Sequence, residues 1–232
     1  MDVRAKTRRF LDHRRKLGTV RAANVVLGGI LNRLGVSINY VYVGPAEKDP
    51  LKAGPPEVPL GYETRAGTLQ DFVHFAEQGH DYDLFAIERQ LAYGDLCAVT
   101  VFEGELVGYR FVTTARAPVT EQLFTVIPDG FRYAYKAWIH ADHRRKNLDS
   151  KAVWVLKQME PAGHRQRNIW DVACNNYASL LHGYVNPRYR SMRVGVVGWV
   201  TLFGKQWPFA SRGAKWVGFD FRRDGANERQ YL

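Results

Sequence analysis

A short basic loop between a predicted strand and a predicted helix is the part of this sequence best suited to chemistry. The loop reads His143-Arg-Arg-Lys-Asn147. A helix that begins after such a loop presents backbone N–H groups that have no partner inside the helix, and the adjacent cations add positive charge. Anions bind at positions of this kind. The sequence therefore predicts an anion-binding site at this loop.

Residue type and periodicity predict the two elements that flank the loop. Residues 131–140 are rich in aromatic and β-branched side chains, which favours a strand. Apolar residues then recur with the spacing of one helix face, and Pro161 ends the helix. The stripe consists of Ala152, Val155, Leu156 and Met159.

The wording of this stretch resembles the acyl-CoA-binding motif of the GNAT-type N-acetyltransferases. In that motif a hydrophobic strand leads into Arg-Gly-Arg-Gly-Ile-Gly and a helix. The matching positions are Ile139, His140, Asp142, His143, Arg144, Lys146 and Leu148. Arg145, Asn147 and Asp149 stand where the motif has glycine.

The order of predicted elements from residue 60 to residue 221 is similar to that of the GNAT fold. It runs strand, two helices, antiparallel hairpin, strand–loop–helix, strand, helix and two strands, with residues 115–130 as a loop and residues 215–221 as the last strand. We therefore expect an α/β (α+β) fold class with a mixed, mostly antiparallel central sheet, flanking helices and a splay between its central strands. Residues 60–232 are predicted to form this acyltransferase-like domain. Residues 1–59 are predicted to be a basic N-terminal extension with an amphipathic helix, a short strand and a Pro-rich linker.

The resemblance implies transfer of an acyl group from a thioester to an amine, and it implies which residues bind the donor. In this family the pantetheine arm pairs with backbone at the end of the central strand. The implied donor-binding residues are Trp138, Ile139, His140 and Ala141 on the strand, and Arg144, Arg145, Lys146, Asn147, Leu148, Asp149 and Ser150 in the loop and helix. The family also has an Asn-x-x-Ala/Ser motif, which either Asn175 with Ala178 or Asn176 with Ser179 matches.

Proton transfer has four candidate residues in the sequence. Histidine has an intrinsic pKa near neutrality, which makes His140 a candidate, and Asp171 lies in an apolar run, where desolvation would raise its pKa. The family's thiolate acid is commonly a tyrosine, for which Tyr184 and Tyr189 are the nearby candidates. Each of the four also has a structural interpretation: a loop partner for His140, a buried hydrogen bond for Asp171, and packing for the tyrosines.

The missing glycines leave two thioester donors open. Glycine lets a diphosphate approach backbone N–H groups closely, whereas Asp149 is expected to cap those groups itself and to repel phosphate. Coenzyme A could bind through the arginine side chains instead. An acyl carrier protein, which is acidic and lacks the adenosine diphosphate, would also suit the basic loop.

The acceptor is predicted from the loops at residues 115–130 and 182–192. Arg116, Arg188 and Arg190 suit a carboxylate or phosphate on a small amine, such as an amino acid or an amino-sugar nucleotide. Solvent-exposed or surface-paired arginines are the alternative. A competing interpretation of the whole chain is a non-catalytic domain of the same fold that binds a nucleotide, a partner or a membrane.

The amino-acid composition bears on the partners and the cellular location of the protein. The 232 residues carry a formal charge of +10, which favours an acidic partner. Two cysteines without a CxxC or Cys/His cluster predict no disulfide scaffold and no metal site, and a cytoplasmic protein. The basic residues 1–34 predict contact with an anionic membrane or an acidic partner, with packing on the domain or on a second subunit as the alternative. No nucleic-acid-binding signature is present, so nucleic acid is a minority expectation.

Overall fold

The protein is described by a computed structural model that covers residue 15 and residues 18–44, 54–77, 83–160, 167–176, 179–180 and 192–223. Its contacts divide the chain into two compact units. The first unit comprises the described residues of 1–44, 118–128 and 169–231, and the second those of 45–117 and 129–168.

Four antiparallel strands and an N-terminal helix build most of the first unit. The helix is α1 (Thr19–Arg33). The strands are β1 (Val36–Val43), β8 (Arg167–Ala173), β9 (Arg193–Leu202) and β10 (Lys205–Ala210), in the order β10-β9-β1-β8. Strand β1 thus lies between β9 and β8. On α1, Ala22 and Val25 are buried, and Val25 packs in a cluster with Tyr40 and Tyr42.

The remaining elements of the first unit are short. Strand β6 (Leu123–Val126) pairs with β11 (Asp220–Arg223), and the helix α5 (Arg212–Trp216) precedes β11. Strand β5 (Arg116–Pro118) begins in the second unit, and only its last residue, Pro118, belongs to the first.

The second unit also has four antiparallel strands, which one face of a helix covers. The strands are β2 (Tyr62–Ala66), β3 (Leu96–Phe102), β4 (Glu105–Thr113) and β7 (Phe131–Ile139), in the order β7-β4-β3-β2. The helices are α2 (Leu69–Glu77), α3 (Leu84–Ala92) and α4 (Leu148–Met159).

Helix α4 packs through the stripe that its periodicity predicts. Ala152, Val155 and Leu156 are buried in one cluster with Ala98 of β3 and Val112 of β4. Each fully buried Val or Leu side chain stabilises the fold by about 1.5–3 kcal/mol. The helix ends at Met159, two residues before Pro161. The basic loop is therefore held between a paired strand and a well-packed helix.

The predicted fold class is confirmed: helices flank strands that pair antiparallel within each unit. Two segment predictions are wrong. Residues 115–130 contain β5 and β6, and residues 212–223 form α5 and then β11 instead of one strand from 215 to 221. The short helix follows from a local signal: the Ser211 hydroxyl accepts a hydrogen bond from the Ala214 N–H at 3.4 Å, and Gly218 has a φ of 76°.

The predicted division at residue 60 and the predicted splay stay predictions. The described contacts do place β1, which precedes residue 60, among the strands of the first unit. No helix in the described part of the chain is long and apolar enough to cross a bilayer.

Candidate functional site

Strand β7 carries a bulge close to its C-terminal end. The pairing with β4 shifts register between Tyr109 and Phe111, whose partners are Trp138 and Tyr135. Lys136 has a φ of 47°, in the left-handed region. A bulge disrupts the ladder and leaves an extra residue unpaired, and bulges are frequent beside active sites. The backbone at residues 136–137 therefore differs from an ordinary strand directly before Trp138, the first of the strand residues that the resemblance implies in donor binding.

The last residues of β7 lie close to the backbone of β4. The His140 N–H donates to the Val107 carbonyl at 2.9 Å. A Cβ at Gly108 would lie 3.2 Å from the Trp138 carbonyl oxygen, so glycine permits this approach. The Trp138 ring stacks on Tyr109, with centroids 5.6 Å apart. Trp138, Ile139 and the His140 backbone thus belong to a rigid strand end.

The basic loop adopts left-handed backbone at two of the positions where the resembling motif has glycine. After a 3₁₀ turn at Ala141–His143, Arg145 has a φ of 65° and Asn147 a φ of 59°. Residues other than glycine rarely adopt this region, although asparagine tolerates it better than most. The loop therefore retains a glycine-like path although both glycines are replaced.

A side-chain cluster that joins β2 and β3 to this loop holds the loop in place, and we call it the Tyr62 clamp: Tyr62, Phe102, His143 and Lys146. The Lys146 ammonium donates to the Tyr62 hydroxyl oxygen at 2.5 Å, and the hydroxyl lies 2.9 Å from His143 Nδ1. The Tyr62 hydroxyl accepts from Lys146, so its own proton can be donated to His143. The Tyr62 and Phe102 rings lie 4.5 Å apart. Both loop residues of the clamp flank the left-handed Arg145.

Further contacts tie the loop to its surroundings. The Arg144 Nε donates to the Ile139 carbonyl at 3.1 Å, and the Asn147 side-chain amide donates to the Glu57 carbonyl at 3.5 Å. Asn147 is the N-cap residue of α4, but its side chain makes no capping hydrogen bond in the described part of the chain. Arg144 and Arg145 remain exposed, whereas Lys146 is half-buried.

Asp149 does not act as the sequence predicts. The sequence predicts that the carboxylate caps the first N–H groups of α4, but the carboxylate forms an ion pair with Arg110 of β4. Arg110 is mostly buried, and its Nε has no partner among the described residues. The cation beside Asp149 offsets its negative charge, which weakens the repulsion of an anion at this helix end. Leu148 is buried beneath the turn and Ser150 is exposed.

His140 is accessible at the strand end. Its side chain is 48% exposed, and its Nδ1 lies 3.8 Å from the Asp142 carboxylate. The ring contacts Trp138 and His143, with centroids 6.1 and 5.6 Å away. Ala141 next to it is exposed. His140 thus combines access for a substrate with packed neighbours that restrict its ring.

A buried acid on the same unit was missed by sequence reasoning. The Tyr135 hydroxyl donates to Asp95, which is 6% exposed. Burial raises the pKa of the Asp95 carboxyl, although hydrogen bonds from Thr113 and Tyr135 oppose this. Lys136 is exposed as a residue, yet desolvation around its ammonium lowers the pKa of Lys136. No spacing signal joins positions 95, 113 and 135, because the pairing of β3 with β4 and of β4 with β7 brings them together.

Asp171 and the asparagine motif belong to the first unit. The Asn39 amide donates to the Asp171 carboxylate at 2.5 Å in a partly buried hydrogen bond, which agrees with the structural interpretation of Asp171. Asn176 Oδ1 accepts from the Ser179 N–H at 3.3 Å, the bond that an N-cap side chain makes. Asn175 is exposed beside it. Asn176 with Ser179 is thus hydrogen-bonded, and Ala178 lies outside the described residues.

The candidate acceptor residues are placed incompletely. Arg116 is half-buried in β5 and already has a bonding partner. Tyr184, Arg188, Tyr189 and Arg190 lie outside the described residues. Among the residues that are described, no group of three His, Cys, Asp or Glu side chains is arranged to hold a metal.

Comparison with known proteins yields structural likeness alone. No family model matches the sequence, and no curated protein matches it. Solved structures similar to this chain include N-acetyltransferases. A GCN5-related N-acetyltransferase from Kribbella flavida is 15% identical with a TM-score of 0.36, over 87% of this chain and 65% of that protein. The ribosomal-protein-alanine N-acetyltransferase from Brucella melitensis is 17% identical with a TM-score of 0.34, over 51% of this chain and 87% of that protein.

A Drosophila protein is 14% identical with a TM-score of 0.48, over 76% of this chain and 58% of its own length. The chain therefore spans less than two thirds of the Kribbella and Drosophila proteins. Similarity at this level does not identify the donor, the acceptor or the catalytic residues. These have to be inferred from the chemistry of the site itself.

Proposed function

We propose that the protein is an N-acyltransferase that moves an acyl group from a thioester to the amine of a small, anionic acceptor. The observation that carries the proposal is the left-handed turn at Arg145 and Asn147, which joins a bulged strand end to the N-terminus of a 12-residue helix. N–H groups at a helix start, with exposed Arg144 and Arg145 beside them, suit the phosphate of a thioester donor.

The reaction requires the protein to align the amine with the thioester, to stabilise the oxyanion and to transfer protons. The amine nitrogen attacks the thioester carbonyl carbon, the C–S bond breaks, and the amine proton passes to a base while the thiolate takes up a proton. Alignment makes this step effectively unimolecular, and aimed N–H donors stabilise the oxyanion. His140 is the base that its exposure favours, and Asp171 is the second candidate. Tyr184 and Tyr189 remain the candidate acids.

The donor binds through its anionic group to Arg144, Arg145 and Lys146. Either coenzyme A or the phosphopantetheine of an acyl carrier protein supplies that group. Replacing Arg144 and Arg145 together by alanine should weaken donor binding about tenfold or more, which corresponds to about 1.4 kcal/mol. Calorimetry with both donors measures this. Lys151→Ala with Lys157→Ala, two cations farther along α4, is the matched control, and an equal loss in the control would contradict the assignment.

Asp149→Gly separates the two donors. Removing this carboxylate takes away a negative charge and a side chain from the helix start, so binding of acetyl-CoA should improve. Binding of a carrier protein, whose single phosphate needs less room, should change little. Improved binding of the carrier protein without improved binding of acetyl-CoA would contradict this prediction.

The acceptor is tested by release of free thiol from acetyl-CoA and longer acyl donors with a panel of amines. We expect turnover with amino acids or amino-sugar nucleotides, and a rate that rises with pH through the apparent pKa of the base. His140→Gln should abolish that pH dependence. Turnover with basic peptides and none with anionic amines would refute the acceptor class.

A non-catalytic domain is the second candidate, and Asp149 favours it because a carboxylate at the helix start disfavours a diphosphate. Mass spectrometry of the purified protein distinguishes the two. A co-purified acyl-CoA or acylated carrier supports the enzyme. No turnover of any donor and amine, with binding of a nucleotide or partner instead, supports the alternative.

A further inference from the structure

Helix α1 is apolar on two opposite faces. Its inner face packs through Ala22 and Val25, which are buried. Leu27, Ile30 and Leu34 recur at helical spacing on the outer side and are 53%, 50% and 70% exposed. A helix on the surface of a protein normally carries polar residues on its outer face. The outer stripe of α1 therefore has the composition of a contact surface.

The tip of the β9–β10 hairpin continues this surface. Leu202 and Phe203 lie at the turn, and the Phe203 side chain is fully exposed. The Thr201 N–H donates to the Gly35 carbonyl at 2.7 Å, which fixes the turn beside the C-terminal end of α1. These residues belong to one unit and are linked by a direct hydrogen bond, so their relative placement is set within it.

Strand β10 adds aromatic side chains on the same face as α1. The Phe209 ring lies over Gly198, whose partner on β1 is Ile38. Ile38 packs in the cluster beneath α1. Side chains two residues apart on a strand point to the same side, so Trp207 shares this face and is 52% exposed. We call Leu27, Ile30, Leu34, Leu202, Phe203 and Trp207 the outer apolar surface.

Positive charge borders the outer apolar surface. Arg33 and Lys205 are exposed at its edge, and the guanidinium of Arg223 lies 5.0 Å from the centroid of the Trp207 ring. The acidic residues described in this unit are Glu121, Asp171 and Asp220. Its described basic residues are more numerous: Arg15, Arg33, Arg193, Lys205, Arg212, Lys215, Arg222 and Arg223.

We propose that the outer apolar surface docks the protein on an anionic lipid bilayer. Exposed Leu, Phe and Trp side chains beside Lys and Arg are the combination that inserts into the headgroup region of such membranes. A second copy of the chain is a poorer occupant, because a symmetric contact would bring the same cations of two copies together. The proposal is independent of the acyl transfer proposed above.

Vesicle co-sedimentation of the full chain tests this proposal. We expect binding to phosphatidylcholine vesicles that contain phosphatidylserine, little binding to phosphatidylcholine alone, and weaker binding at higher ionic strength. Phe203→Ala with Trp207→Ala should lower the partition coefficient about tenfold or more, since two inserting aromatic side chains are removed. Lys205→Glu should lower it as well.

A matched control is available on the opposite face. Helix α5 packs against Gly195, on the side of β9 that points away from α1. Its Trp216 is 86% exposed, which is more than Trp207 of the outer apolar surface. Trp216→Ala should leave vesicle binding unchanged. Because Phe203 and Trp216 are exposed, circular dichroism is expected to show the same folded content in all variants.

Three results would overturn the proposal. The first is wild-type protein that does not sediment with the anionic vesicles. The second is an equal loss in Trp216→Ala and in the Phe203/Trp207 variant. The third is sedimentation equilibrium showing a dimer that the Phe203/Trp207 variant dissociates while vesicle binding stays unchanged, which would assign the surface to a second copy of the chain.

Discussion

At the scale of single residues, the loop before α4 takes a glycine path without glycine. Arg145 and Asn147 both have positive φ, and side chains in this region cost about 1–2 kcal/mol per residue relative to glycine. Arg145→Gly should therefore leave the free energy of unfolding unchanged or raise it, despite the entropy that glycine adds to the unfolded chain. Arg145→Val should lower it. Urea unfolding measures both, and a lower stability of the glycine variant would contradict the left-handed assignment.

The Tyr62 clamp makes a second prediction at this scale. Tyr62→Phe removes the hydroxyl that joins Lys146 to His143 while it preserves the ring on Phe102. The loop should then sample other conformations, so that KM for the thioester donor rises about threefold to tenfold while kcat changes less. Steady-state kinetics with a fixed amine measure the split.

Rescue by glycine distinguishes positioning from a general structural effect. Asn147→Gly in the Tyr62→Phe background should recover most of the donor affinity, because glycine adopts the left-handed conformation without support. Tyr93→Phe, at an exposed tyrosine after α3, should have no effect. If Asn147→Gly fails to rescue while the fold is intact, Tyr62 does not act through the conformation of the loop.

The sequence predicts the chemistry of the loop but not its support. Arg144, Arg145 and Lys146 are adjacent in the chain, so their charge can be recognised without a structure. Tyr62 lies 84 residues from Lys146, and strand pairing brings the two together. The same holds for Arg110 and Asp149, 39 residues apart. Such contacts depend on strand register, because a one-residue shift turns each side chain of a strand to the opposite face of the sheet.

At the scale of elements, Asp71 in the first turn of α2 and Asp95 shortly after α3 give stability opposite dependences on pH. Burial raises the pKa of Asp71, but hydrogen bonds from Arg65 and Thr68 together lower it below its ordinary value of 3.8. Its stabilising effect is therefore present above that value and is lost as pH falls through the folded pKa. Asp71→Asn should lower the free energy of unfolding at neutral pH by about 0.5–2 kcal/mol, and wild type and variant should converge in acid.

Asp95 should show the reverse dependence. Its folded pKa is raised by burial, so its stabilising contribution is complete below 3.8 and is lost as pH rises through the folded pKa. Asparagine retains an oxygen that accepts from Tyr135 and carries no charge. Asp95→Asn should therefore be at least as stable as wild type at neutral pH. Chemical unfolding across pH measures both variants, and a parallel loss in the two would refute the difference in sign.

Elements with a clear period or an apolar run are predicted well, and short elements are not. The stripe of α4 and the Glu103–Gly104 turn between β3 and β4 agree with the structure. Strands β5 and β6 have three and four residues, too few for an alternating pattern to be recognised beside Pro118 and Pro128. Helix α5 has five residues and one buried side chain, Ala214, so it has no helical period to detect.

At the scale of the whole molecule, the charge of +10 should affect how fast an anionic donor arrives. Long-range attraction raises association rates and is screened by salt. We expect kcat/KM for the thioester to fall as ionic strength rises, and Arg144→Ala with Arg145→Ala to flatten that slope. The Lys151/Lys157 control should flatten it less. If kcat/KM falls with ionic strength by the same slope in all three proteins, the loop takes no part in donor capture.

The Tyr62 clamp also bears on which substitutions the loop can accept over time. A turn built on glycine depends on two positions and is lost when either changes. Here the same turn depends on side chains of β2, β3 and the loop together, so each position is free to vary as long as the others compensate. Related proteins of this kind would diverge in amino-acid sequence while the path of the backbone stays the same. Their evolutionary relationship would be recognised from backbone torsion angles sooner than from aligned residues.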